Sequence, residues 1–123
     1  MGRWHRRAKG QKGAAAVEFA VVLPLLVTLL FGIIEMGFVF NRWITVTHAA
    51  REGVRRMAVG DPEATAAAKA RDSAVGLTPA PSCTGSTPSA TTVQMQCTAT
   101  YDLQLFIYTN NVTLRSTSRA STE

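Results

Sequence analysis

The chain has 123 residues, 46% of them hydrophobic, and a formal net charge of +5. With about 40 residues in or near one apolar run, the remainder has room for one small folded domain at most. Arg3, Arg6, Arg7, Lys9 and Lys12 precede that run with no acid among them, and from residue 18 onward eight basic and eight acidic residues cancel. The positive charge is therefore a local flank, which argues against a nucleic-acid surface spread over the protein.

Residues 1–13 form a short basic leader with Gly10 and Gly13 just before the apolar stretch. Residues 19–40 then read as a transmembrane helix of about 33 Å, enough for a bilayer core of about 30 Å. Within it Pro24 removes one backbone hydrogen bond and is expected to bend the helix near Ala20, while Gly32 and Gly37 offer places for another helix to approach. By the positive-inside rule the basic flank sets the N-terminus in the cytoplasm and the C-terminal part outside.

The helix is expected to continue beyond the membrane. Trp43, Val46, Ala50, Val54 and Met57 recur at spacings of three and four, an apolar stripe on one helical face. Gly53 weakens this reading a little. Gly60 ends the helix, and Asp61-Pro62 is expected to start a second, alanine-rich one over about 62–75 as cap and first-turn proline. Trp43 suits a membrane interface.

Residues 78–91, with Pro79, Pro81 and Pro88 among small polar residues, read as a loop. From Thr92 to Leu105 apolar and polar residues alternate, a long one-sided strand signal. Asn110-Asn111 reads as a turn, with a return strand over 112–118. An antiparallel hairpin packed on the extramembrane helices follows, since a lone hairpin is marginal. The fold class is α+β: a long N-terminal transmembrane helix (14–59) continuing into a small extracytoplasmic domain (60–123) with a second helix and a β-hairpin.

Cys83 and Cys97 both fall on the outer side, where an oxidising compartment would join them, closing a loop worth about 3 kcal/mol. Metal binding is disfavoured, as no histidine or third cysteine lies near them. His5 and His48 are on opposite sides of the expected membrane. No nucleophile–histidine–acid set or phosphate-binding loop is present, and Glu18 and Glu35 are too far apart for a two-carboxylate site. No enzyme, cofactor or metal is expected. Glu35 lies near the outer end of the span with Arg42 seven residues on, on nearly the same face. The two could pair within the chain or between subunits, or Glu35 could simply be solvated.

The most informative arrangement is at the other end of the helix. Gly13 is followed by Ala14, Ala15, Ala16, Val17, Glu18 and Phe19. A cut after Gly13 would make Ala14 the new amino terminus and Glu18 the fifth residue. This arrangement resembles the leader of type IV pilins and pseudopilins. More narrowly, "GAAAVEFAVVLPLLVTLLFGIIEMG" followed by "THAAREGVRRMAV" resembles the TadE-like family of the tight-adherence (Flp) pilus system, over about residues 12–59. Where that family commonly has Glu-Tyr after the leader, this chain has Glu18-Phe19, which keeps the ring.

The resemblance implies a pseudopilin cleaved between Gly13 and Ala14 by a prepilin peptidase, with other pilus-assembly subunits and the lipid membrane as its partners. Glu18 would then lie at a positive helix end, able to neutralise the new amine of its own or a neighbouring subunit; its plainer role is a carboxylate at the inner membrane surface. The alternative to the pseudopilin is an unprocessed single-pass signal-anchor envelope protein whose outer domain binds another partner.

Overall fold

The computed structural model describes residues 7–105 and 108–122. Its elements are α1 (Arg7–Ala58), α2 (Glu63–Ser73), β1 (Ser82–Ser89), β2 (Thr92–Leu105) and β3 (Tyr108–Ser121). One helix of 52 residues thus carries a second helix and a three-stranded antiparallel sheet of order β1-β2-β3. The α+β class is as expected.

Two solvents divide α1. Residues 13–31 are exposed all round, and large apolar side chains from Val17 to Phe40 face outward on several sides. Such a helix is long and apolar enough to cross a membrane. Above it apolar residues are kept to one face: Val46, Ala49, Ala50, Val54 and Met57 are buried. They pack with Ala66, Ala67, Ala70 and Ala74 of the α2 region and with Val93, Met95, Cys97 and Ala99 of β2. Trp43, the lowest member of the expected stripe, is exposed. The helix runs unbroken through Pro24, whose carbonyl accepts a bond from the Thr28 hydroxyl at 2.8 Å.

The end of α1 is set by its backbone. Gly60 has φ +100°, its N–H donates to Met57 O at 3.0 Å, and the Asp61 N–H reaches back to Arg56 O at 3.0 Å. This is a Schellman closure, which needs a residue in the left-handed region and so favours glycine. The expected cap of α2 is corrected. Pro62 itself occupies the N-cap position and no side chain caps the helix, so Asp61 is not the cap. Instead the Asp61 carboxylate lies 3.9 Å from Arg56, which also pairs with Glu52 at 2.9 Å.

Two sequence expectations in the sheet fail. The segment read as a loop contains β1, paired with β2 from Ser82↔Thr98 to Ser89↔Thr92. Its composition of Ser, Thr, Gly and Pro carries almost no intrinsic strand signal. Pairing with β2 makes it a strand, and its edge position tolerates Pro88, which falls where the register shifts between Ser86 and Ser89. Asn110 and Asn111 are not a turn either: they pair with Leu103 and Asp102 inside β3. The chain reverses beyond Leu105↔Tyr108, and residues 106 and 107 lie outside the described residues.

The core is built from small side chains, and this lets elements approach closely. A Cβ added at Gly53 would stand 2.8 Å from Met95 Cγ and 3.0 Å from Ala70 Cβ. The glycine that weakened the helix reading is therefore where α1 meets both α2 and β2. Across the sheet Cys83 and Cys97 are register partners and are joined by a disulfide.

Gly53→Ala is expected to destabilise the head by about 1–2 kcal/mol, because overpacking outweighs the gain in helix propensity. Chemical unfolding of the full chain in detergent checks this. In the same assay Cys83→Ala with Cys97→Ala is expected to cost about 3 kcal/mol, from the lost loop constraint.

Candidate functional site

At the membrane end of the head three side chains from two elements converge. Glu35 and Arg42 are two turns apart on α1, and both are half-buried. Tyr101, from β2, donates its hydroxyl to Glu35 Oε1 at 2.9 Å. The Arg42 guanidinium carbon lies 4.3 Å from the centre of the Tyr101 ring, a cation–π contact. Glu35 and Arg42 thus meet through the tyrosine, each using a different part of it.

The electrostatics keep that tyrosine a donor. Burial raises its pKa above the ordinary 10.0, and the bond to Glu35 and the carboxylate charge raise it further, while Arg42 acts the other way. At neutral pH the phenol keeps its proton and the carboxylate accepts it as a charge-assisted hydrogen bond. Strand alternation aims Tyr101 at the helix, since Val93, Met95, Cys97 and Ala99 alternate on the same face and are buried. Sequence reasoning placed Tyr101 in that apolar series and passed over its hydroxyl. The signal available was a polar-tipped ring at the membrane end of an otherwise apolar row.

The other sequence-selected residues lie apart from this cluster. Gly13, Ala14, Glu18 and Phe19 are all exposed on α1. The helix begins at Arg7, so the bond between Gly13 and Ala14 is helical, with nothing within 4 Å of a Cβ placed at Gly13. Residues 1–6 of the expected leader lie outside the described residues. His48 lines a shallow surface groove of about 430 Å³ with Arg51, Glu52, Arg55, Lys69 and Ser73. Among the described residues no group of three or more His, Cys, Asp or Glu is placed to hold a metal ion.

A long apolar helix with a small head folded on its C-terminal third fits a single-pass membrane protein. The family model described as TadE-like protein matches residues 13–55. Over those residues the stem is similar to TadE-like proteins, in line with the sequence resemblance. α2 and the sheet lie beyond the matched residues. Comparison with curated proteins and with solved structures gives no match to this chain.

Tyr101→Phe is expected to lower the stability of the full chain by about 1 kcal/mol. The pH dependence gives a second check. A pKa raised in the folded state means stability is complete below the unfolded value of 10.0 and is lost as pH rises through the folded one. The wild-type protein is expected to show this alkaline loss and the phenylalanine variant to lack that component, read from unfolding midpoints between neutral and alkaline pH.

Proposed function

We propose that the protein is a minor pseudopilin of the tight-adherence (Flp) pilus system, acting in pilus assembly after a prepilin peptidase removes residues 1–13. The observation that carries this reading is the TadE-like match over residues 13–55, which takes in the leader boundary, Glu18 and the whole apolar stem. The stem's exposed apolar surface supports work done by helix packing, in lipid or against neighbouring subunits, rather than by catalysis. Its partners on this reading are the prepilin peptidase, other pilus-assembly subunits and pseudopilins, and the membrane. The basic flank keeps the leader cytoplasmic and the head extracytoplasmic.

Processing asks something particular of the backbone. The Gly13–Ala14 bond lies inside α1, and a peptidase needs local unwinding to reach it. Gly10 and Gly13, each costing about 1 kcal/mol in a helix relative to alanine, make this first stretch the easiest to open. After the cut Glu18 is one turn from the new amine at Ala14, close enough to neutralise it in its own chain or to meet that of a neighbour.

N-terminal sequencing of the membrane-extracted protein tests the reading. A mature start at Ala14, lost in Gly13→Trp, is the expected result. Glu18→Ala is expected to leave cleavage intact and to impair assembly. A start at Met1 or Gly2 would contradict processing and leave a signal-anchor protein.

A further inference from the structure

Within the head α1 is covered on one side only. Its buried stripe meets α2 and β2, while Ile44, His48, Arg51 and Arg55 on the other side are exposed. Phe40, Ile44, Thr47, Arg51 and Arg55 follow one another at spacings of three and four, so they share a face that continues the exposed stem upward. α2 and β3 flank this face without covering it. Lys69 and Ser73 of α2 wall its upper part. Ser116 of β3 walls its lower part, a hollow of about 380 Å³ beside Trp43, Ile44 and Thr47. His48 and Arg51 line both parts, which makes them one groove running about 18 Å along the helix from Trp43 to Arg55.

The groove is apolar at its membrane end and cationic above. Among the described residues Arg51, Arg55 and Lys69 have no acidic side chain within ion-pair distance. The one acid lining the groove, Glu52, is already bonded to Arg56 at 2.9 Å. Three unneutralised cations on two walls of one groove repel one another, and an acidic occupant removes that cost.

Height and charge decide between occupants. Arg51 and Arg55 stand about 16 and 22 Å above Phe40, where the expected span ends. Lipid headgroups fill only about 5–8 Å beyond the hydrocarbon, so they do not reach the cationic half. A second copy, held level by the membrane, would set Arg51 and Arg55 against their own counterparts. What fits is a helix rising from the bilayer beside α1, since it already runs along the groove.

We propose that this groove receives the helix of a different membrane-anchored subunit, apolar up to the level of Ile44 and acidic over about its next three turns. The proposal deepens the assembly reading and rests on it for the presence of neighbouring subunits. Trp43 and Ile44 supply the apolar contact close to the membrane, and Arg51, Arg55 and Lys69 select the charge. The same cations that attract an acidic partner turn away further copies of this chain, which gives the contact its specificity.

Photocrosslinking of the full-length protein in its native membranes tests this. p-Benzoylphenylalanine is placed singly at Ile44 and at His48 in the groove, and at the exposed Thr117 on the outer face of the sheet. Protection of Cys83 and Cys97 from alkylation reports a folded head in every variant. Adducts from Ile44 or His48 are expected to map to one other membrane protein, in an acidic segment just beyond its span, with none from Thr117. Arg51→Glu with Arg55→Glu is expected to lower their yield about tenfold or more, and Arg51→Gln with Arg55→Gln to lower it less. Arg115→Glu with Arg119→Glu, the same charge change on the outer face of the sheet, is expected to leave the yield unchanged. Adducts only to a second copy, to phospholipid or to a segment without acids, or no adduct, would overturn the proposal. A yield indifferent to the groove reversal, or equally lowered by both reversals, would overturn it too. N-terminal sequencing of the same samples reads the leader separately. A start at Ala14 without groove adducts would overturn the docking and leave the assembly reading standing, whereas a start at Met1 with the expected adducts would do the reverse for processing.

Discussion

The structure depends on one helix being asked to meet two environments. Up to about residue 40 the surroundings of α1 call for apolar residues on every side, and the exposed Val, Leu, Ile and Phe side chains supply them. Higher up, apolar residues withdraw to the stripe of Val46, Ala49, Ala50, Val54 and Met57. Without that stripe the head has little to fold on. The rest of its core is four alanines of the α2 region, Leu77, one face of β2 and Leu114, too few methylenes to stabilise a domain of this size. Stem and head are thus a single folding unit, helped by a disulfide.

Small side chains are the other half of that bargain. Alanine and glycine bury little area each, but they bring backbones close enough for Met95 to sit fully buried among three elements. Gly85 repeats the device at the edge strand. Its N–H donates to Glu63 at 3.1 Å, and a Cβ there would meet Met57 Sδ at 2.6 Å. The polar cluster of Glu35, Tyr101 and Arg42 closes the lower end of the same seam, where the apolar face of β2 runs out of buried helix to cover. It binds the hairpin to the stem at the level where helix composition changes.

Much of this was legible in the sequence, for a physical reason in each case. The apolar run, the three-four stripe and the alternation over 92–105 are periodic patterns that lipid or a core demands directly. The strand β1 was not legible, because nothing in Ser82–Ser89 prefers to be extended; β2 and the Cys83–Cys97 link make it so. Asn110-Asn111 carried turn chemistry, yet pairing with Leu103 and Asp102 overrode it. In the polar cluster, Glu35 and Arg42 stood out as charges flanking an apolar run. Tyr101 did not, since its partner is 66 residues away in sequence and only the descent of β2 brings them together.

Hydrogen exchange of the full chain in lipid nanodiscs tests most directly whether stem and head are one folding unit. The amides of α1 from Val46 to Met57, of α2 and of β2 from Val93 to Ala99 should open with one common free energy. They should also lose protection together as denaturant is added, while residues 14–30 stay protected by the bilayer. Protection of β2 and β3 that persists after residues 46–57 have exchanged would contradict the account, because the head would then fold without the helix that is claimed as its core.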